Sequence, residues 1–396
     1  MAAIKPVFIL LLLMTMLGVF PIDVILPSIP ALARHLGTQT QSITASIGLL
    51  TVLVALAQLV IGRASDRYGR KPLLLASLVV AIAGSIGCTY AQTATAFHAW
   101  RAIQAIGCGG FVLAHALVQD LFDAEQRTRQ RIWLSTAGGV FISISPLFGV
   151  FLQTHAGWQG SFWVFALLAS LAMLLAAKAL PSSGKRHNFS TNGDSTPANP
   201  VRFSCAAAIT MLGFVAHFSF IVLSPVVFLE LLQTPANRYG LIMLCYGAAY
   251  LLGGMLAATV ARRAMEFTQI RLGLALIAVG GGAMGAAHMF TSITSASLLG
   301  GACLMTCGVT LMRPAATTLA MNALPGRAGS AAAGLNAMTF MGGGVISFLL
   351  GLIAIEARWV LPTTWLVISG LGFALCRAAA MQPTPAVGAA TAPALE

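Results

Sequence analysis

The sequence predicts an all-α membrane protein with twelve transmembrane helices in two pseudo-symmetric halves of six. Three observations carry that prediction. Of its 396 residues, 58% are hydrophobic and only 8% are charged, whereas soluble domains carry about a quarter charged residues. Apolar runs of about twenty residues, enough to cross a bilayer as a helix, recur along the chain. One polar stretch, PSSGKRHNFSTNGDSTPANPVRF, rich in Ser, Asn and Pro, separates the first six runs from the last six and reads as a linker.

The spans fall at roughly 7–29, 43–62, 73–91, 96–118, 133–154, 161–180, 204–229, 239–260, 270–290, 295–322, 330–354 and 360–380. This organisation gives an N-terminal six-helix bundle (1–180), a cytoplasmic linker (181–203), a C-terminal six-helix bundle (204–380) and a C-terminal tail (381–396). The first run follows Lys5 and begins near Val7. It is too long for a signal peptide and lacks a clear small-residue cleavage site, so it reads as a retained first helix.

The formal net charge is +12. With the N-terminus in the cytoplasm, 17 of the 22 Lys and Arg residues fall in cytoplasmic segments; only Arg34, Arg238 and Arg358 lie outside, and Arg101 and Arg313 sit within spans. This is the positive-inside bias of short loops. It explains the basic excess without nucleic acid and places both termini in the cytoplasm. The seven cysteines, Cys88, Cys108, Cys205, Cys245, Cys303, Cys307 and Cys376, lie in or beside apolar runs without zinc-type partners and read as small hydrophobes. The sequence has no phosphate-binding P-loop and no metal cluster, so neither ATP-driven transport nor enzyme activity is expected, and no cofactor is required.

The most specific local pattern is GRASDRYGRKPLL, between the second and third spans. Gly62 allows close packing or a tight helix exit, and Gly69 permits a left-handed turn. Asp66 can cap the following backbone and pair with Arg70. In order, Gly62, Asp66, Arg67, Gly69, Arg70 and Lys71 match the cytoplasmic loop motif G-x-x-x-D-R-x-G-R-[RK], and the stretch resembles that motif of the major facilitator superfamily. Further segments are similar to the same family. RAIQAIGCGG (101–110) resembles the fourth-helix motif of proton-coupled members, and ALVQDLF (116–122) presents Asp120 near the loop motif. GWQGSFW (157–163) has Gln159 where the family has Arg. FPIDVILPSIPALA and AGSAAAGLNAMTFMGGG look like the first and eleventh helices of drug/proton antiporters of the Bcr/CflA type. One segment departs: in SISPLFGV (143–150) Pro146 and Gly149 fit the antiporter motif of the fifth helix, but Ser145 and Val150 replace glycines, which leaves the direction of transport open. A weak internal repeat pairs Gly62 with Gly254, Arg70 with Arg262, Lys71 with Arg263 and His115 with Arg313, in keeping with two related halves around a central site.

Of ten acidic residues, Asp23 alone lies clearly within a span, between Pro21 and Pro27. Ionisable groups in hydrocarbon are costly and usually face a cavity, and prolines loosen the helix around them. Arg101 lies at a similar depth. The resemblance implies that helices one and four line a cavity, so Asp23 and Arg101 are expected to form the proton-coupling pair, or a static ion pair that fixes helix packing. It also implies that helices seven and ten line the other half. The candidate substrate-binding set is then Asp23, His115, His217, Phe218, Tyr246, Tyr250 and Arg313, with Phe214 repeating the aromatic spacing. Arg313 has no acidic partner in the second-half spans. It is expected either to meet an anionic substrate group or to serve carbonyls loosened by Pro314. The gating set is Gly62, Asp66, Arg67, Gly69, Arg70, Lys71, Asp120, Pro146 and Gly149, of which Asp66, Arg70 and Asp120 would hold the cytoplasmic helix ends together in the outward-open state.

The resemblance implies a proton-coupled secondary transporter of a bacterial inner membrane. It would be a monomer that exports small amphipathic molecules by alternating access on a proton gradient. The alternative is transport, in either direction, of a specific anionic metabolite or siderophore.

Overall fold

The computed structural model describes residues 4–122, 124–181, 199–290, 294–324, 328–352 and 357–382. Among these, all regular structure is helical. The α-helices are α1 (Ile4–Asp23), α2 (Ile29–His35), α3 (Thr40–Tyr68), α4 (Arg70–Thr89), α5 (Ala94–Cys108), α6 (Leu113–Leu121), α7 (Ala124–Ala156), α8 (Gln159–Ala179), α9 (Pro200–Ser224), α10 (Ala236–Ala261), α11 (Glu266–Phe290), α12 (Ser295–Ala323), α13 (Ala328–Leu352) and α14 (Ala357–Ala380). Eleven spans are long and apolar enough to cross a membrane, and a shorter apolar helix, Gly334–Leu350, lies within α13. The spans are helical because lipid offers the backbone no hydrogen bonds, so each segment must satisfy its own.

Three boundaries differ from the sequence reading. The first span runs to His35 rather than residue 29, because the chain resumes as α2 after a break. The helix of the fifth span begins at Ala124, so Arg127, Arg129 and Arg131 belong to the start of α7 rather than to a loop, while the apolar span itself is Ala137–Ala156. The seventh begins at Pro200: the Asn199 side chain accepts from the Arg202 amide and Pro200 occupies the first turn, a helix start that needs no donor from proline. Residues 200–203 are therefore helix, while 182–198 of the expected linker and 383–396 of the tail lie outside the described residues.

The first half packs α4 against α5 and α8, and α1 against α7 and α8; the second packs α12 against α9 and α11, and α14 against α9 and α11. The halves meet along two helix pairs, α3 with α13 and α7 with α10. They also meet where α2 and the turn Leu26–Ser28 touch the π-helical segment Pro225–Leu231. That contact is at the end of the molecule opposite the loop motif. There the Thr40 hydroxyl donates to the Glu230 carboxylate across the halves. Nearby, a Cβ on Gly48 would stand 2.5 Å from the Phe348 amide nitrogen and 2.7 Å from the Gly344 carbonyl oxygen. Only glycine lets α3 and α13 approach this closely, so the halves are closed against each other at this end.

Candidate functional site

The first span is broken by its own prolines. Pro21 sits in the last turn of α1 and Pro27 is the middle residue of the short 3₁₀ turn Leu26–Ser28. Neither can donate a backbone hydrogen bond, and α1 ends at Asp23. The carboxylate is 3% exposed. Its Oδ2 accepts from the Ser145 hydroxyl at 3.2 Å.

Ser145 is one of the positions where the antiporter motif has glycine. The adjoining Pro146 has no N–H for the Ile142 carbonyl one turn back, and the Ser145 hydroxyl lies 3.1 Å from that same oxygen. One hydroxyl proton thus stands between a carbonyl and a carboxylate. It can go to Asp23 when the acid is ionised; when the acid is protonated it can go to Ile142 while Ser145 Oγ accepts from Asp23. Two residues of the motif do match, and Gly149 has a clear packing role. A Cβ there would lie 2.3 Å from the Val24 carbonyl oxygen and 3.1 Å from Pro27 Cδ, so the bare glycine lets α7 seat on the break in the first span. Asp23 is also within electrostatic reach of Tyr239 and Tyr246 of the second half.

The expected Asp23–Arg101 pair does not form. Arg101 is fully buried, but its Nη1 donates to Gln104 Oε1 at 2.7 Å and its Nη2 to the Pro21 carbonyl at 2.9 Å. The end of α1 leaves the Pro21 carbonyl short of an amide donor, and Gln104 lies one turn along the arginine's own helix. Both acceptors are therefore close at hand. The guanidinium also lies 5.9 Å from the centre of the Phe162 ring. Among the described residues its Nε has no partner, and the arginine lines, with Pro21, Gln104 and Ser161, a cavity of about 10 Å³, room for about one water molecule. Arg101 thus staples the fourth span to the break beside Asp23 without neutralising the acid.

In the second half the structure gathers most of the expected residues. His217 Nδ1 and the Tyr246 hydroxyl share a 2.6 Å hydrogen bond, and the Tyr250 ring lies 5.2 Å from the imidazole. Phe218 stacks on Phe214 at 5.1 Å, and the Arg313 guanidinium lies 5.4 Å above the Phe214 ring. Phe218 and Tyr246 are buried. The expected aromatic wall is thus a packed cluster in this conformation, with Tyr250 half-buried at its edge. Arg313 makes no bond that would give it the structural role with loosened carbonyls: among the described residues its guanidinium has no hydrogen-bond partner, and its Nε is buried.

At the other end, Arg70 pairs with Asp120 (Nε to Oδ2, 3.1 Å) and donates to the Ser65 hydroxyl. Lys71 donates to the carbonyls of Ala177 and Leu180 at 2.7 and 2.8 Å. The motif therefore ties the ends of the third, fourth and sixth spans together. Arg67 lies over the Tyr68 ring. Gly69 has φ +92, the conformation expected of it. Gly62 does not make the expected close packing contact, because it faces open space within α3. The side chains of Asp66 and His115 lie outside the described ones.

A broken first helix carrying a buried acid, a stapling arginine on the fourth span and two six-helix halves now stand together. Residues 11–348 match the family model of the Major Facilitator Superfamily. The chain belongs to that superfamily. Within it, the chain is 27% identical over 228 residues to the multidrug resistance protein MdtL of Escherichia coli O17:K52:H18 (strain UMN026 / ExPEC), a match covering 56% of this chain and 58% of the relative. It is 26% identical over 227 residues to MdtL of Shigella dysenteriae serotype 1 (strain Sd197), with the same coverage. The matched region thus spans about 58% of the length of these curated relatives. Among solved structures, a D-xylose-proton symporter superposes with a TM-score of 0.74 at 15% identity, covering 93% of this chain and 97% of that one. The human organic anion transporter MFSD10 (TETRAN) gives 0.67 at 17% identity, covering 94% and 99%. At such identities these likenesses establish the Major Facilitator Superfamily fold and no more.

Sequence reasoning singled out Asp23, Arg101, His217, Tyr246 and Arg313. It noted Ser145 only as a departure from a motif and passed over Gln104. The available signal for Ser145 was its place just before Pro146, where a hydroxyl compensates for the donor that proline lacks. Ser145→Ala is expected to leave Asp23 without that donor and, if Asp23 carries a proton during transport, to slow transport about ten-fold, since a lost hydrogen-bond partner at a buried group costs about 1–3 kcal/mol. Ser145→Thr, which keeps the hydroxyl, should retain most of the rate in reconstituted vesicles.

Proposed function

We propose that this superfamily member is a proton-coupled exporter of small amphipathic molecules, working by alternating access with a proton gradient as its energy source. The observation that carries the reading is the environment of Asp23. It is a buried acid at a helix break between the halves, held by a hydroxyl rather than by the nearby arginine. A carboxylate locked to a cation would stay ionised. One facing an adaptable hydroxyl can take up and release a proton, and burial makes the change of charge matter to the packing around it. The multidrug names of the MdtL relatives favour drug-like substrates.

In this reading the end at Thr40 and Glu230 is periplasmic, the loop motif and both termini are cytoplasmic, and the transporter acts as a monomer in a bacterial inner membrane. The arrangement described above is then closed to the outside. Substrate entering from the cytoplasm displaces the proton from Asp23, the halves rock, and a proton from outside resets the cycle. The loop-motif contacts of Arg70, Lys71 and Asp120 brace the first half so that it moves as a unit.

Transport by purified protein in proteoliposomes tests this. An imposed pH gradient of the correct sign is expected to drive a lipophilic dye or antibiotic up its concentration gradient. Transport that runs only downhill and ignores the pH gradient would remove proton coupling.

A further inference from the structure

We propose that Arg313 and the Phe214 ring form a subsite for the anionic group of an aromatic organic anion, so that the transported molecules include aryl carboxylates. The inference rests on the reading of the central region as the substrate site, but not on proton coupling.

The arginine is held in a prepared position. A Cβ on Gly213 of α9 would lie 2.8 Å from Arg313 Cγ and 2.5 Å from Met312 Cε, so the missing side chain makes the groove in which the arginine stem lies. The head is then fixed 5.4 Å above Phe214. That ring is itself held rigidly: it stacks on Phe218 and meets Phe340 edge-on at 5.4 Å. An arginine ordered this way has already lost much of its rotamer freedom before a ligand arrives.

The arginine's donors are unused. Guanidinium keeps its charge and carries five N–H groups in a planar fork. Arg101, buried in the fourth span, spends its fork on Gln104 and the Pro21 carbonyl. Arg313 has no hydrogen bond or ion pair among the described residues, and a buried Nε among its donors. The acids at the nearest ends of the second half do not reach it: Glu230 accepts from Thr40 at the closed end, and Glu266, at the start of α11, forms no ion pair with it. Intramembrane cations normally pair with other side chains or carbonyls. One aimed at an aromatic bed without such a partner is complementary to a planar carboxylate.

The surroundings suit the rest of such a ligand. Tyr250 stands half-buried beside His217, and the imidazole is already engaged with Tyr246. Tyr250, at the edge of the cluster, offers ring surface for an aromatic body, while Arg313, bedded on Phe214, supplies the charge.

The test compares binding of 2-naphthoate with its uncharged isostere 2-naphthamide to purified protein, by equilibrium dialysis in detergent at low salt. The acid is expected to bind about ten-fold or more tightly than the amide, the difference one charge-assisted hydrogen-bonded contact makes. Arg313→Gln should reduce the preference to about one, and Arg313→Lys should keep part of it because the charge stays while the fork is lost. Equal binding of acid and amide by the unaltered protein, binding of neither, or an Arg313→Gln protein that still prefers the acid would overturn the subsite. Because dialysis needs no gradient, loss of proton coupling would leave this result untouched.

Discussion

Asp23→Asn is expected to abolish uphill transport while leaving the protein folded and able to bind substrate. Asparagine matches the carboxylate in shape, and its carbonyl oxygen can still accept from the Ser145 hydroxyl that now lies 3.2 Å from Oδ2. It cannot exchange a proton near neutral pH. Everything that depends on the shape of the helix break should survive: the seat of Gly149 on the Val24 carbonyl, and the staple from Arg101 to Pro21. Stability should hold or rise, because an amide avoids the desolvation cost of an ionised acid in the membrane interior. The measurement is accumulation in proteoliposomes under an imposed pH gradient, with apparent Tm in detergent as the control for folding. Accumulation by the asparagine variant at the parent's level would show that the proton is carried elsewhere.

The second large effect belongs to the closed end. Gly48→Leu should drive the halves apart there, because even the first carbon of the new side chain would sit 2.5 Å from the Phe348 amide nitrogen and 2.8 Å from its Cα. These are backbone atoms of α13 and cannot rotate out of the way. The neighbouring Gly344 is equally constrained, since its own Cβ would lie 2.6 Å from Val52 Cγ2. Overpacking a fitted contact costs about 1–3 kcal/mol or more. That is about five- to more than a hundred-fold in the balance between two conformations if one of them relieves the clash. Thr44 reports on this. It is 1% exposed, lies one helical turn from Gly48 on the same face, and its hydroxyl has no partner to lose. In a background with the seven native cysteines replaced, a Thr44→Cys substitution should react slowly with a membrane-impermeant maleimide. Adding Gly48→Leu should speed that reaction at least ten-fold. Unchanged labelling would mean that this contact does not hold the end shut.

The Thr40–Glu230 bond adds to the same closure from the other side of the interface. Its contribution is the smaller one, since it joins two polar groups near the end of the bundle, whereas the glycine contact sets how near the two helices can come.

The spans were legible because their signal is local. A helix crossing lipid must be apolar for about twenty residues whatever it packs against, and the polar linker marks the division between halves. The loop motif was legible because its spacing is local, and Gly69 adopts the positive φ expected of it, although Arg70 and Lys71 find their partners on the distant Asp120, Ala177 and Leu180. Arg101 was placed at the right depth but given the wrong partner. Depth follows from counting residues along a helix. The partner depends on where α1 stops hydrogen-bonding to itself, and that leaves the Pro21 carbonyl within 2.9 Å of the guanidinium. Helical spacing put Phe214 beside Phe218 on α9 and Tyr246 beside Tyr250 on α10. Spacing alone could not say that Tyr246 turns its hydroxyl to His217, or that Phe218 is buried under Phe214.

The sequence by itself determined that this is a two-half helical membrane protein of the transporter type, and that Asp23 stands well inside its first span. The cost of burying a charge belongs to the residue and the apolar run around it, so it can be read along the chain. Only the tertiary structure decided what that acid and the arginines touch. Ser145 reaches Asp23 from 122 positions away, and Arg101 reaches Pro21 from 80. Such bonds depend on placing two helices to within a fraction of an ångström. Here that placement is set by glycines that permit close approach and by prolines that release carbonyls, and neither acts until the helices are packed.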